Sequence, residues 1–393
     1  MSLIEDLNQS QQDLPSHTKT TPDHPTGWEP GITYGDGHGT ITARLAINEA
    51  PDWTALLTEW GFDPERFQVK SDTVNIRTWD AAIGNGEVRR MWYHRADITS
   101  RAPLLEPDYD RLLAEVKARR PVNLPTSTGD PLVVCLADWQ MGKRDGGGTE
   151  GIIERGLRLI DSVLTEIKAR KPSALYVACM GDLIESCDGH YDQQVFQVEL
   201  DRRSQVKVAR RLLVKMLEAW AVKVPQVVVL TVPGNHGENR KDGKSFTTFG
   251  DNDDIALVEQ AAEILAANPE RFGHVKFLIP EEEMTWTLDI GGTIVGFAHG
   301  HQATRGGTLA QAKLKHWWRG QMEGRKPIGD ADVLISAHYH HFAVVSDGSR
   351  TWMQCPTLDG GSEWFEHLSG AGTTPGTLVV SMGGGKWDGL RIL

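Results

Sequence analysis

Apolar positions in the first hundred residues change period once. Trp53, Leu56, Leu57 and Trp60 fall at i, i+3, i+4 and i+7, which predicts a short amphipathic helix. "DTVNIRTWDA" and "EVRRMWYHRADI" then alternate with period two, and the "IGNG" between them supplies residues that tolerate positive φ, so a β-hairpin is expected. After Pro131 the rhythm becomes strand and helix in turn. "PLVVCLA", "ALYVACM" and "QVVVLTV" are short continuous apolar runs, as strands covered on both faces require. Between them Ile153, Leu157, Ile160, Leu164 and Ile167 make one helical stripe, and Val208, Leu212, Met216 and Trp220 another. Beyond residue 272 strands dominate: "HVKFLI", "MTWTLDI", "TIVGFA", "DVLISA", "FAVVS", "TWMQC" and "GTLVVS".

This order predicts an α/β protein. Residues 1–26, polar and rich in Pro, Ser, Thr and Gln, read as a mobile tail. Residues 27–104 form a small N-terminal α+β domain, 105–130 a linker that includes a short charged helix, and 131–393 one large domain. At 393 residues there is chain enough for a substantial core. No apolar run reaches the roughly 20 residues of a membrane span, and "MSLIEDLNQS" lacks a basic region followed by an apolar one, so a soluble, unexported chain is expected. Four dispersed cysteines suggest neither a disulfide framework nor a thiolate zinc site and fit a reducing cytoplasm.

The net charge of −12 speaks against a surface that binds nucleic acid everywhere. Locally the sign reverses. Between residues 305 and 330, Arg305, Lys313, Lys315, Arg319, Arg325 and Lys326 face only Glu323 and Asp330, with Trp317 and Trp318 interleaved. Such a segment could hold a phosphate backbone and stack a base; it also fits a solvated helix with two core tryptophans.

Candidate chemistry gathers where strands end. "VVCLADWQ" finishes with Asp138 and Gln140, "ALYVACMGD" with Asp182, "VVLTVPGNH" with Asn235 and His236, "TIVGFAHGH" with His299 and His301, and "DVLISAHYH" with His338 and His340. Loops beyond strand ends form the ligand crevice of α/β sheets, so these residues can converge. Taken singly, Asp182 could cap a helix, Asn235 could make a turn and His299 could be a satisfied core histidine. Five strand ends all carrying cation-ligand types point instead to a polynuclear metal site.

The order Asp-x-Gln, Gly-Asp, Gly-Asn-His, His-Gly-His and Ala-His-x-His resembles the calcineurin-like metallophosphoesterase superfamily over residues 131–345. The resemblance implies a β-sandwich flanked by helices, a four-layer αββα arrangement, with two divalent metals at its rim. One would be held by Asp138, Gln140, Asp182 and His340, the other by Asp182, Asn235, His299 and His338. Asp182 would bridge them, and His236 would stay unligated as the acid at the leaving oxygen. Manganese is the expected metal, with iron or zinc as alternatives. Gln140 stands where histidine is commonest, with a parallel in the manganese-dependent ADP-ribose/CDP-alcohol pyrophosphatases. Gly237 stands where an acid is usual. Glu185 stands where SbcCD-type nucleases carry a phosphate-positioning histidine, with His190 close by in sequence. His301 remains an alternative to His299.

A dinuclear-metal phosphodiesterase acting on DNA or RNA is the leading expectation, with Arg240, Lys313, Lys315 and Arg319 as substrate-binding candidates. Arg89, Arg90 and Arg95, beside Trp92 and Tyr93, could extend a binding groove. Hydrolysis of a small nucleotide or pyrophosphate is the second expectation, favoured by the acidic total charge and Asp-x-Gln. A non-catalytic scaffold is the third. A nucleic-acid substrate is the expected partner, and no membrane is.

Overall fold

The computed structural model describes residues 30–393 except 36–37, 46–50, 65–66, 71–72, 85–86, 101–107, 192–193, 195–196, 242, 308 and 362–373. The chain divides into two compact units, Met1–Pro107 and Asp108–Leu393. The tail expected over residues 1–26 lies outside the described residues.

In the first unit β1 (Gly31–Gly35) and β2 (His38–Leu45) precede helix α1 (Trp53–Glu59). Strands β3 (Phe67–Val69), β4 (Asn75–Gly84) and β5 (Glu87–Ser100) complete an antiparallel sheet in which β5 pairs with β2 along one edge and with β3 and β4 along the other. Asp52 caps α1, its Oδ1 accepting the Ala55 N–H at 3.0 Å. The helix covers one face of the sheet: Leu57 and Trp60 bury against Ile32, Ile41, Phe67, Ala96 and Ile98. The hairpin expected from the alternation is β4 and β5; its turn residues, 85–86, lie outside the described residues.

The second unit opens with α2 (Asp108–Lys117), tied to it where the Tyr109 hydroxyl donates to Glu263 at 2.7 Å. Then follow β6 (Leu132–Leu136), α3 (Gly148–Arg170), β7 (Leu175–Cys179), α4 (Arg202–Ala221), β8 (Val227–Thr231) and a short ladder, β9 (Arg240–Lys241) with β10 (Lys244–Ser245). Next come α5 (Asp253–Ala266), α6 (Pro269–Phe272), β11 (Val275–Leu278), β12 (Thr285–Ile290), β13 (Thr293–Ala298) and α7 (Ala310–Glu323). The last strands are β14 (Val333–Ser336), β15 (Ala343–Asp347), β16 (Arg350–Gln354), β17 (Leu378–Gly383) and β18 (Lys386–Ile392).

Six strands form one mixed sheet in the order β11-β8-β7-β6-β17-β18, and five form another, β12-β13-β14-β16-β15. The sheets face each other across one core. Val133, Cys135, Ala178, Leu230 and Val380 of the first meet Val295, Phe297, Ile335 and Met353 of the second. Helices α3, α4 and α5 bury their apolar faces over the outer side of the first sheet, whose Leu132, Val134, Val177 and Val229 are fully enclosed. On the outer side of the second sheet α7 sets Leu314 against Leu334 and Trp352. The result is the four-layer α/β/β/α arrangement. On α3 the buried stripe centres on Ile152, Ile153, Gly156, Leu159, Ile160, Val163 and Ile167, while Leu157 and Leu164 sit half-exposed at its border. No helix among the described residues is long and apolar enough to cross a membrane.

Candidate metal centre

Parallel β6, β7 and β8 of one sheet, and β13 and β14 of the other, release their chains into adjoining loops. Those loops are knitted by backbone. Asp138 N donates to Gly181 O at 3.2 Å, Gln140 N to Asp182 O at 2.9 Å, Val232 N to Cys179 O at 3.0 Å and Ala337 N to His299 O at 2.8 Å. Close approach demands glycine where the second and third loops touch. A Cβ on Gly234 would lie 2.2 Å from Asp182 N, and one on Gly181 would lie 2.7 Å from Gly234 Cα. Left-handed backbone is concentrated here too. Of eight non-glycine residues with positive φ among those described, five are Asp138, Gln140, Asp182, His338 and His340. Each costs on the order of 1–2 kcal/mol. Strain gathered on residues that share one ligand chemistry marks a functional site rather than ordinary turns.

At the centre, His299 Nδ1 lies 2.7 Å from Met180 O, a group that only accepts, so Nδ1 carries the proton and the neutral ring leaves a lone pair on Nε2. That nitrogen lies 3.0 Å from Asp182 Oδ2 and 3.2 Å from Asn235 Oδ1. Asp182 Oδ1 accepts the His236 N–H at 2.7 Å, whereas Oδ2 is buried without a hydrogen bond. His338 joins them: donor atoms of Asp182, His299 and His338 lie within 4.8 Å of one another. Several lone pairs directed at one another call for a positive charge between them. With none but a proton, burial opposes charging His299, yet Asp182 overrides it and pushes the imidazole up to about 9. His338, buried beside charged His299, is driven down to about 2. A divalent cation would satisfy all four groups with both imidazoles neutral, so the donor set fits one.

A second group adjoins the first. His340 Nε2 lies 3.4 Å from Asp138 Oδ1 and 3.2 Å from the Gln140 amide nitrogen. A half-turn of that terminal amide would present its oxygen to the same space. Burial opposes charging His340, and Asp138 raises its pKa nonetheless. Asp138 also accepts the His338 backbone N–H at 3.1 Å and 3.2 Å, which ties the two groups together. Thr357 donates from Oγ1 to Asp138 O at 2.6 Å.

His236 stands apart from these donors. Its Nδ1 lies 2.7 Å from the Glu185 carbonyl oxygen, which only accepts, so Nδ1–H is committed and Nε2 is left for exchange with a substrate. Its ring stacks on His190, centroids 4.4 Å apart and planes within 12°. Both His190 nitrogens are engaged, Nε2 with Asn235 O at 2.7 Å and Nδ1 with Gln194 Oε1 at 3.1 Å. Glu185 is buried, which raises its pKa, and it accepts the Tyr191 hydroxyl at 2.7 Å.

His301, the alternative to His299, turns elsewhere: its Nε2 lies 3.6 Å from Glu238 Oε1. Glu238 also accepts from Arg240 Nε at 2.8 Å. Arg240 packs beside Gly189, next to the stacked histidines. The remaining candidates are on α7. Lys315 pairs with Asp347, Arg319 donates to Glu323 at 2.9 Å, and Lys313 is half-buried. Lys315 and Arg319 line a groove of about 320 Å³ with Trp318, Met322, Arg350 and Trp352.

Asp254 escapes a reading of motifs. From the first turn of α5 it accepts Asp182 N at 2.9 Å and Gly234 N at 3.0 Å on Oδ2, and Leu183 N at 2.8 Å on Oδ1. One carboxylate thus clamps the loops after β7 and β8. Burial, then the charge of Asp182, push its pKa up. Lys143 is also buried and pairs with Asp359 of the loop after β16. Asn252, the α5 cap, two residues before Asp254 was the available sequence signal.

No family model and no curated protein matches the chain. Among solved structures it is similar to zinc-complexed Vps29 from Entamoeba histolytica, at 12% identity over 67% of this chain and 97% of that one, TM-score 0.32. A predicted phosphoesterase from Streptococcus pneumoniae matches at 13% identity over 65% and 85%, TM-score 0.28. An archaeal phosphodiesterase matches at 12% over 67% and 99%, TM-score 0.33. Likeness at this level decides nothing about the chemistry, which rests on the residues above.

Proposed function

We propose that the second unit is a metal-dependent phosphodiesterase with two cation positions, acting on nucleic acid. The observation that carries this reading is the convergence of the Asp182, Asn235 and His338 donor atoms on His299 Nε2, with a histidine outside that set, His236, on the neighbouring loop. Asp182, Asn235, His299 and His338 would hold one cation, and Asp138, Gln140 and His340 the other, with Asp182 Oδ2 the atom available to share. Paired divalent cations supply Lewis-acid charge to a phosphoryl group and make water nucleophilic near neutral pH.

The protein's own residues do the rest. Glu185 O fixes the His236 tautomer, so the proton passed to a departing alkoxide oxygen is carried at Nε2. His190 holds that ring flat by stacking. Asp254 and the paired glycines keep the two loops at a fixed separation. Arg240, already held by Glu238, contributes positive charge beside His236 for a diester phosphate.

A second reading, hydrolysis of a small nucleotide or pyrophosphate, is favoured by the paired state of Lys315 and Arg319, which lowers their value to a polymer. A substrate panel with manganese separates the two: single- and double-stranded DNA, RNA, cyclic nucleotides, ADP-ribose and bis(p-nitrophenyl) phosphate. Cleavage of the polymers with a steep salt dependence of binding supports the nuclease reading. Turnover confined to ADP-ribose or cyclic nucleotides, with a shallow salt dependence, supports the other.

A further inference from the structure

Glu185 fixes the His236 tautomer through its carbonyl oxygen; its carboxylate does something else. That group is buried, and its Oε1 accepts the Tyr191 hydroxyl at 2.7 Å. Gln194, fully buried, completes a frame around it. The Gln194 side chain donates from Nε2 to Glu185 O at 2.7 Å and accepts the His190 N–H on Oε1 at 3.2 Å, while its backbone N–H donates to Tyr191 O at 3.1 Å. Tyr191 is therefore held at its backbone oxygen and at its hydroxyl. It is nonetheless 42% exposed. With the hydroxyl turned in to Glu185, it is the ring that meets solvent. The next residue back is His190, whose ring stacks on His236. Burial, then the charge and hydrogen bond of Glu185, then Asp359 and Asp145, push the Tyr191 pKa up, so the hydroxyl keeps its proton and the surroundings are anionic.

We propose that Tyr191 is a specificity-determining residue, stacking on the base of the nucleoside whose oxygen departs toward His236. The role rests on the phosphodiesterase reading for its substrate. An anionic setting accepts an uncharged ring more readily than a second phosphate, so the ligand of this ring is the base and the phosphate belongs at the cation positions. A phenol ring already pinned at both ends loses little freedom when another ring lies on it. Glu185 also sets the two parts against each other, its carbonyl oxygen holding His236 and its Oε1 holding Tyr191. A tyrosine that merely capped a buried carboxylate would need only its hydroxyl, and that difference can be measured.

The test compares hydrolysis, by the full chain with manganese, of dithymidylate and of two analogues in which one nucleoside or the other lacks its base. The leaving-side nucleoside is the one released without phosphate. For wild type, kcat/KM should fall about ten-fold when that base is missing and much less when the other is. Tyr191→Ala should bring the ratio close to one, whereas Tyr191→Phe, which keeps the ring and loses the hydroxyl, should retain most of it. Each ratio is taken within one variant, so a general loss of activity cancels. A wild-type ratio of one, a ratio unchanged in Tyr191→Ala, or a Tyr191→Phe protein that loses it as fully as Tyr191→Ala overturns the proposal, the last by showing a cap on Glu185 and nothing more. Saturation-transfer NMR of thymidine with metal-stripped protein in EDTA gives a reading that needs no turnover. Transfer to the thymine ring is expected from wild type and Tyr191→Phe and not from Tyr191→Ala; no transfer from wild type, or equal transfer from Tyr191→Ala, overturns the proposal. A wild type that hydrolyses no diester, bis(p-nitrophenyl) phosphate included, would count against the phosphodiesterase reading and leave the NMR result to decide the role of Tyr191.

Discussion

His236 and Gln140 carry the chemistry that single residues can decide. With Nδ1–H committed to Glu185 O, His236 has one nitrogen left for a proton transfer and no part in the donor clusters. His236→Ala is expected to leave metal content unchanged and slow turnover by about 10²- to 10⁴-fold, the usual span for a lost general acid. Metal loss in that variant would mean that the acid is a ligand. Gln140 offers an amide where imidazole is commonest, and an amide oxygen is a harder and weaker donor. The position it shares with Asp138 and His340 should therefore fill second and favour manganese over zinc. Gln140→His should tighten that position and shift it toward zinc, and Gln140→Ala should loosen it further. Calorimetric titration of the metal-stripped proteins checks this; three superimposable curves would remove Gln140 from the ligand set. The residue types were legible in the sequence because each follows an apolar strand run. Their backbone was not, because left-handed φ at Asp138, Asp182 or His338 is imposed by neighbouring loops rather than by local preference.

At the scale of elements, the strands reveal which parts of a sequence speak plainly. Buried β6, β7 and β8 read as continuous apolar runs because both of their faces are covered. Strand β18 has the pattern of an edge, with Lys386, Asp388 and Arg391 interrupting Trp387, Leu390 and Ile392, and its period was too diluted to register. Helix α5 has a helical stripe of Ile255, Val258, Ala261, Ile264 and Leu265, but its buried face also includes Asp254, a carboxylate at a position that patterning treats as exposed. Yet that helix sets the distance between the loops after β7 and β8. Asp254→Asn replaces half of an acceptor for three backbone N–H groups with a donor facing the same groups. It is expected to weaken metal binding by about 10- to 100-fold, as loss of a group that orients ligands does, and to lower the melting temperature of the metal-free chain. Equilibrium dialysis against manganese and calorimetric melting give the two readings. Full affinity in Asp254→Asn would show that the loops hold their spacing without it.

For the whole molecule, the sign of the charge and its placement matter more than its total. The tryptophan-bearing segment 305–330 stood out in the sequence as a basic patch, but α7 folds Lys315 onto Asp347 and Arg319 onto Glu323. Sequence distance concealed the first of those partners, 32 residues away on β15. Lys313→Ala, Lys315→Ala and Arg319→Ala combined should therefore reduce the salt slope of single-strand binding by less than the roughly 2 that three unpaired cations would give, while hydrolysis of a small diester stays intact. Equal loss on both substrates would mark a folding defect. Convergence of five strand ends could be read from the chain; that two sheets deliver them, β6 to β8 from one and β13 with β14 from the other, required the sandwich.

In the proposed centre Asp182 would serve both cation positions, so it tests the account most directly. The measurement is hydrolysis of bis(p-nitrophenyl) phosphate by metal-stripped protein as manganese is titrated in, for wild type and Asp182→Asn side by side. Wild type should be inactive with EDTA, gain activity as manganese is added and saturate near two equivalents per chain, while Asp182→Asn binds less metal and stays inactive throughout. Hydrolysis indifferent to EDTA, or an Asp182→Asn protein that matches wild type along the whole titration, would contradict it.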